Sequence, residues 1–372
     1  MHANSNTVMF VSAVPDFKGG AETCLKQFLH NPNITPHLIV PKLGPLSDYA
    51  KQHAIAFDVV DFGRVNDVRR PFKLSSIFYA CIDALKSGLK IKSLAKKHKA
   101  KCIHSNGLKT HGMLAIANII NPFNRTPVIC HIHDIPYTTK EMLFWRFLSL
   151  TCSKLILVSR HCWGGNNLPT NATIIPNGMA LTQKTLENKT LNETLSIGFV
   201  GRIHPHKGLD LAIQWLIKAK KQGYKFQFYI RGEAAESEKA YEQSIKDLIA
   251  ENDLSEICHF EGRIEGYQKV YSNLDITLMP SVQAEPFGLV AIESFDNGVI
   301  CFAYPSGALP SIIKHQESGY LCQTADDFVS SLKHLTSNKH TYNDMRQNAH
   351  LRLKNQYTIE TLYHSLNSVY KF

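Results

Sequence analysis

Short apolar runs alternate along the chain with segments whose apolar residues recur at three- and four-residue spacing. In the first half, candidate strands begin at Val8, His37, Cys102, Val128 and Lys154, and candidate helices cover Ala21–Leu29, Lys109–Ile120 and Lys140–Leu150. Strand and helix patterns in strict alternation signal βαβ units and a parallel sheet. The alternation weakens at Asn177-Gly178, and Ala180–Thr194 is polar without clear periodicity. A second series follows. Its strands are expected at Leu195–Val200, Lys225–Ile230, Ile257–Phe260, Asp275–Pro280 and Val299–Ala303, with helices at Leu209–Lys221 and Ser237–Glu251. Tyr357–Phe372 reads as a terminal helix. The pattern predicts two doubly wound, Rossmann-like α/β domains, residues 1–178 and 195–372, joined by a linker at 179–194 and facing a central cleft. Ligands of such sheets bind at the carboxyl ends of the strands.

The length of 372 residues suits two ordinary domains, and 44% hydrophobic content supports packed cores rather than disorder. No apolar stretch reaches the roughly 18 residues of a membrane span. Val8–Val14 is short for a signal peptide, lacks a basic leader and runs into Pro15-Asp16, so it reads as the first buried strand. Nine cysteines are scattered without a C-x-x-C pair, which fits buried, reduced thiols in a cytoplasmic protein.

Charge changes the picture in one place. Of the net +10, the segment between Phe62 and Cys102 carries +9. It holds Arg64, Arg69, Arg70, Lys73, Lys86, Lys90, Lys92, Lys96, Lys97, Lys99 and Lys101, opposed by Asp67 and Asp83. Interleaved Leu85, Leu89, Ile91 and Leu94 make Leu74–Lys99 a basic amphipathic helix. It reads either as a solvated face or as a dock for an anionic membrane surface, on the inner face of the plasma membrane, close to a lipid-linked acceptor. No nucleic-acid-binding module accompanies the charge, so nucleic acid is not an expected partner.

The candidate chemistry lies in the second half. Gly201-Arg202-Ile203-His204-Pro205-His206-Lys207-Gly208 puts two fixed cations on a turn between strand and helix. Later, Glu285-Pro286-Phe287-Gly288-Leu289-Val290-Ala291-Ile292-Glu293 places one carboxylate before a helix start and another inside that helix. On one continuous helix the two glutamates would be separated by roughly 12 Å of rise. That is too far for the roughly 5 Å of a retaining glycosidase pair and beyond the roughly 6.5–9.5 Å of an inverting pair. Pro286 and Gly288 put Glu285 in a loop. The carboxylates therefore grip different parts of one extended ligand, while the cations and the helix start near Leu289 attract phosphate. A sugar attached to a nucleoside diphosphate has that chemistry.

The G-R-x4-K-G and E-x7-E patterns, in this order and separation, resemble those of family-4 retaining glycosyltransferases of the GT-B fold. The resemblance implies that Arg202 and Lys207 bind the donor diphosphate, Glu285 the donor sugar and Glu293 the ribose. Phe287, Gly288 and Leu289 become donor contacts at the helix start. It also implies a UDP-sugar or GDP-sugar donor, a sugar or lipid-linked acceptor, and a role in cell-surface polysaccharide or glycolipid synthesis. Arg263, in Glu261-Gly262-Arg263, is placed near the base, with Arg231-Gly232-Glu233 as a neighbouring turn. The family's terminal helix often crosses back to the first domain. The chain departs from the family at Ala180, at Ser311 and in Ser294-Phe295-Asp296, where Asp, Glu and Ala-Met-Ala are usual.

In the first half, Lys18-Gly19-Gly20-Ala21-Glu22 lies between the first strand and the first helix. Taken alone it is an ordinary turn, but the family carries a similar one at its site, which implies donor contacts for Gly19 and Gly20. His131-Ile132-His133-Asp134 ends another strand, with both histidines on the same side. A hydrogen-bonded pair, a metal site and a catalytic histidine compete; further metal ligands are not visible in the pattern. The resemblance favours His133 as the contact to the reacting centre, with Asp134 orienting it, and His104–Asn106 on the acceptor side.

The resulting expectation is a retaining hexosyl-type transfer without cofactor or metal, since no Asp-x-Asp motif is present. No enzymic nucleophile is evident, and a same-face displacement is the implied route. The rivals are a GT-B epimerase or phosphorylase, and a non-catalytic module that binds sugar nucleotides or scaffolds a polysaccharide assembly. A dehydrogenase would need a G-x-G-x-x-G turn that the chain lacks.

Overall fold

The computed structural model describes residues 6–17, 19–67, 74–124, 126–182 and 186–371. Lys18, Arg69, Arg70 and Lys73 of the sequence analysis lie outside the described residues. The chain divides into two compact units, one running up to Gly178 and resuming at Ile359, the other spanning Met179–Thr358.

The first unit is built on seven strands: β1 (Thr7–Ser12), β2 (Thr35–Val40), β3 (Ala56–Val59), β4 (Cys102–Asn106), β5 (Val128–Ile132), β6 (Lys154–Leu157) and β7 (Ala172–Ile174). They form one sheet in the order β3-β2-β1-β4-β5-β6-β7, and every pairing is parallel. β4 and β5 are buried throughout, because helices cover both faces of a parallel sheet.

The second unit has six: β8 (Thr194–Val200), β9 (Lys225–Arg231), β10 (Cys258–Gly262), β11 (Ile276–Met279), β12 (Ile300–Ala303) and β13 (Tyr320–Leu321). Their order is β10-β9-β8-β11-β12-β13, again all parallel. β8 begins at Thr194, inside the stretch the polar composition marks as a linker.

The two orders are the same winding pattern. In each sheet the chain works outward from its first strand to one edge, then returns to the middle and works toward the other edge. The connections on either side of β1/β4, and of β8/β11, therefore run to opposite faces, which leaves a crevice at the carboxyl ends of those strands.

Three strands escape the hydrophobic pattern. β3 has no fully buried residue, β7 spans only three residues, and β13 only two. All lie at or next to a sheet edge, where a one-sided environment does not demand an apolar run. Helix Gly20–Leu29 starts one residue early, and Leu209–Lys221 falls where the periodicity puts it. The basic helix spans Leu74–Lys97, and the terminal helix Ile359–Val369. No helix among the described residues is long and apolar enough to cross a membrane.

The terminal helix belongs to the first unit. Tyr370 Oη lies 2.7 Å from His104 Nδ1, Asn31 Nδ2 donates to Asn367 Oδ1 at 2.8 Å, and Tyr363 Oη donates to Gln27 O at 2.8 Å. In the second unit, Trp215 is fully buried and stacks on Phe328 with ring centroids 5.4 Å apart. Trp215→Ala removes that ring from a closed core and should cost roughly 3–5 kcal/mol. Urea titration of the second unit's transition measures it, and a loss below about 1 kcal/mol would contradict this packing.

Candidate active site

β8 ends at Val200, and the chain turns at once. Gly201 N donates to Arg231 O at 3.0 Å and Ile203 N to Glu233 O at 3.0 Å, so the turn is tied to the end of β9. Arg202 projects from it and is exposed. One helical turn, Pro205–Lys207, then carries Lys207 toward the loop after β11.

Gly208 ends that turn at φ 66°, and a Cβ there would stand 2.1 Å from Pro280 O. Only glycine allows both the left-handed backbone and the approach. The contact holds the Arg202–Lys207 turn against the end of β11. Lys207 Nζ accordingly meets Glu285 Oε1 at 2.5 Å, and Ser281 Oγ donates to the same oxygen at 2.7 Å. Glu285 is 8% exposed.

The Glu285 loop is held from its other side as well. Ala308 N donates to Glu285 O at 2.8 Å, and Ser306 Oγ donates to Ser281 O at 2.7 Å. Gly307 sits at φ 54°, where a Cβ would lie 2.2 Å from Glu285 O. Pro286, the buried Phe287 and Gly288 then lead into helix Leu289–Asp296, whose start has no side-chain cap. Phe287 packs edge-on against Tyr357, centroids 5.7 Å apart. The uncapped helix start offers N–H donors and the positive end of a dipole.

Glu293, further along this helix, accepts a 2.6 Å hydrogen bond from Tyr271 Oη. Burial raises its pKa, and the tyrosine bond opposes that. Asp296 is fully buried; Tyr267 Oη donates to it at 2.5 Å and Thr182 N at 3.2 Å. The carboxylate that replaces a small residue here is thus fully partnered by local groups.

Arg231 is the last residue of β9, and Glu261 and Gly262 lie inside β10 rather than after it. Arg231 donates to Glu261 Oε2 at 2.6 Å and to the carbonyls of Val270 and Ser272 at 2.7 and 3.0 Å. Its guanidinium is spent on structure. Arg263 is exposed beyond β10, two strands away from β8. The second unit therefore brings Lys207 into contact with Glu285, puts Arg202 on the same turn as Lys207, and sets Gly288, Leu289 and Glu293 along one helix. Ser281 and Tyr271 are the partners the sequence did not reveal. A buried serine four residues before the glutamate, and a tyrosine from a different helix, carry no spacing signal.

In the first unit, Gly19 and Gly20 are exposed at the start of helix Gly20–Leu29. Gly19 is extended, at φ −127° and ψ 168°, so this turn does not use a glycine-only backbone. Glu22 in the first helical turn has a raised pKa, chiefly from burial, with Asp16 and Asp134 adding repulsion.

His133 follows β5 and meets Asn106 Oδ1 through Nε2 at 3.0 Å. Asn106 Nδ2 donates to Ala21 O at 3.1 Å, which turns its Oδ1 toward the ring. Nε2 of His133 therefore carries the proton and Nδ1 the lone pair. Asn106 is thus the partner that holds the ring at Nε2.

His131 lies deeper. Its ring stacks on Phe28 at 5.0 Å and on His133 at 4.4 Å, and His104 Nε2 approaches its Nδ1 at 3.1 Å. Among the described residues, His131 Nε2 has no hydrogen-bond partner. His111 bonds to Ser105 Oγ at 2.7 Å and to His131 O at 3.1 Å. Burial lowers all four pKa values: to about 3 for His104, about 3 for His111, about 4 for His133, and well below the ordinary value for His131.

The sequence and the fold have counterparts. Residues 183–352 match the family described as "Glycosyl transferases group 1". The chain is 24% identical to the N-acetyl-alpha-D-glucosaminyl L-malate synthase of Bacillus anthracis over 129 residues, 34% of each chain. It is 24% identical over 187 residues to the capsular polysaccharide biosynthesis glycosyltransferase CapM of Staphylococcus aureus, 49% of this chain and 47% of that one. These alignments span about a third and about half of the two relatives. Across 98% of both chains the fold superposes on Anabaena Alr3699/HepE, solved in complex with UDP and glucose, with a TM-score of 0.78 and 19% identity.

The histidine cluster has a consequence for stability. Unfolded histidines titrate near pH 6.5, whereas these four stay neutral in the folded chain well below that. Their contribution is complete above about pH 6.5 and is lost as the pH falls from there through about 4. The loss runs to about 1.4 kcal/mol per pH unit for each histidine protonated only in the unfolded chain. Urea titrations of the first unit at about pH 7 and about pH 5 should show a steep decline that His104→Gln makes shallower; equal stability at both would contradict the burial. Residues 183–352 match the group 1 glycosyltransferase family, within a chain whose two parallel-sheet units have the GT-B fold.

Proposed function

We propose that this protein is a retaining glycosyltransferase that moves a sugar from a UDP- or GDP-sugar to an acceptor hydroxyl in cell-surface polysaccharide or glycolipid synthesis. The observation that carries the reading is the Lys207–Glu285–Ser281 cluster beside the Gly288 helix start, at the crevice where β8 and β11 part. UDP and glucose with the Anabaena protein, and capsular polysaccharide synthesis by the Staphylococcus relative, support the ligand class and the setting.

As the donor bond breaks, negative charge grows on the leaving diphosphate. Arg202 offers a planar fork and Lys207 a point charge, while the N–H groups at Gly288 and Leu289 add a dipole end. This sum of positive charge lets the reaction proceed without a divalent ion. Glu285, already bonded by Lys207 and Ser281, is fixed to accept from sugar hydroxyls, and Glu293, steadied by Tyr271, accepts from the ribose. With no enzymic nucleophile assigned, the acceptor attacks the face the leaving group departs from, and a phosphate oxygen takes its proton. In the first unit His133, held by Asn106 and with its Nδ1 lone pair free of that bond, is the histidine assigned to the reaction.

A thermal-shift series with UDP, GDP, ADP and CMP, each in EDTA and in Mg²⁺, tests donor class and metal use together. One nucleoside diphosphate should raise Tm in EDTA, and Lys207→Ala should abolish the shift and slow turnover about 10²–10³-fold. No shift with any nucleotide would favour a phosphorylase or a non-catalytic scaffold. Product formed without acceptor would favour an epimerase.

The basic segment supports peripheral attachment to an anionic bilayer, with two revisions. Lys92 is buried, with Nζ 2.5 Å from Asn118 Oδ1, and Arg64 pairs with Asp83 at 2.8 Å. Exposed Lys86, Lys90 and Lys97 remain at helical spacing on one face. Co-sedimentation with phosphatidylglycerol vesicles, reversed by salt and absent with phosphatidylcholine, is the expected result. Equal recovery with both lipids would leave these lysines as a solvated face.

A further inference from the structure

The first unit holds a second cluster of metal-ligating groups, away from the strand ends that carry His133 and the Gly19 turn. His37 lies on β2, Asp58 on neighbouring β3, and His98 directly after helix Leu74–Lys97. The ladder sets His37 opposite Ala56 and Ile39 opposite Asp58, so His37 and Asp58 are diagonal neighbours on one face. His37 Nε2 and His98 Nε2 both approach a single oxygen, Asp58 Oδ2, at 2.8 and 3.1 Å. One donor atom from each residue falls in a group no more than 4.8 Å across.

The cluster is incompletely satisfied as it stands. His37 makes a hydrogen bond to Asp58, but His98 Nε2 is buried and, among the described residues, has no hydrogen-bond partner in spite of its closeness to the carboxylate. Two imidazole nitrogens and one carboxylate oxygen are a donor set for borderline divalent ions such as Zn²⁺. Tetrahedral ligation at roughly 2.0–2.2 Å sets ligand atoms roughly 3.3–3.6 Å apart. The two nitrogen–oxygen distances need to open by only about half an ångström to admit the ion.

The surroundings prepare the site. His98 is positioned by a bond from its N to Leu94 O at 2.9 Å, and Lys99 turns the chain immediately afterwards at φ 50°. The carboxyl end of a helix favours a cation. Lys97 opposes this, so the affinity should fall below that of an all-cysteine site.

We propose that His37, Asp58 and His98 bind one Zn²⁺-class divalent ion, with water in the remaining position, and that the ion clips the end of the basic helix to the edge of the first sheet. The site is structural and independent of the transfer reaction, so its failure would leave the reading of the second unit untouched.

Co²⁺ titration of tag-free, chelator-treated full-length protein tests it by visible absorption, with Zn²⁺ competition and a thermal shift as second readouts. One equivalent of Co²⁺ should give bound-ion bands that Zn²⁺ removes, and Zn²⁺ should raise Tm reversibly with EDTA. His98→Ala, and separately the near-isosteric Asp58→Asn, should each lose at least about tenfold in affinity, with circular dichroism confirming that both fold. Absence of bound-ion bands in the wild-type protein, or binding unchanged in both variants, would overturn the proposal.

Discussion

Neighbouring strands that send their following connections to opposite faces leave a gap that no helix covers. This happens once in each sheet, between β1 and β4 and between β8 and β11, and the candidate site residues gather there. In the second unit, Arg202 and Lys207 enter that gap from β8 and Glu285 from β11. In the first, the Gly19 turn enters from β1 and Asn106 from β4, bringing His133 from the next strand along. The charged groups are far apart in sequence, and they meet because the sheet reverses its winding there.

Two backbone contacts turn this general position into a particular one. Gly208 against Pro280 and Gly307 against Glu285 bring main chain to main chain, and no side chain at either point could be accommodated. A lysine is flexible and would ordinarily spend little time in one place. Here the segment that bears it is fixed, its carboxylate partner is fixed from two sides, and a serine occupies the same oxygen. The carboxylate is thereby oriented before any ligand arrives, and less ordering remains to be done on binding.

How much of this was readable in advance depended on whether the signal was local. Long strands with two buried faces, such as β4 and β5, announce themselves as apolar runs, while β3 and β13 do not, because an edge asks for little burial. Lys207 and Glu285 stood out through their motifs. Ser281 and Tyr271, which hold the carboxylates, did not, because their relation to them exists only across the folded loops. The basic helix shows the converse: counting charges placed Lys92 and Arg64 on an open cationic face, yet one is buried against Asn118 and the other is neutralised by Asp83. The His37–Asp58–His98 group was invisible for the same reason as Ser281, since its members come from three elements.

The terminal helix gives the chain an order of assembly. His104 finds its hydroxyl partner in Tyr370, 266 residues further on. At roughly 5–20 residues per second, a ribosome needs roughly 13–53 seconds to supply it. All seven strands of the first unit are synthesised by then, but Gln27, Asn31 and His104 still lack the helix that covers them. The second unit, uninterrupted from Met179 to Thr358, can complete its core before the first does. During translation the earlier half of the chain thus waits on the later half, and a nascent protein stalled short of Ile359 would present a finished second unit beside a first unit with one side still open to chaperones.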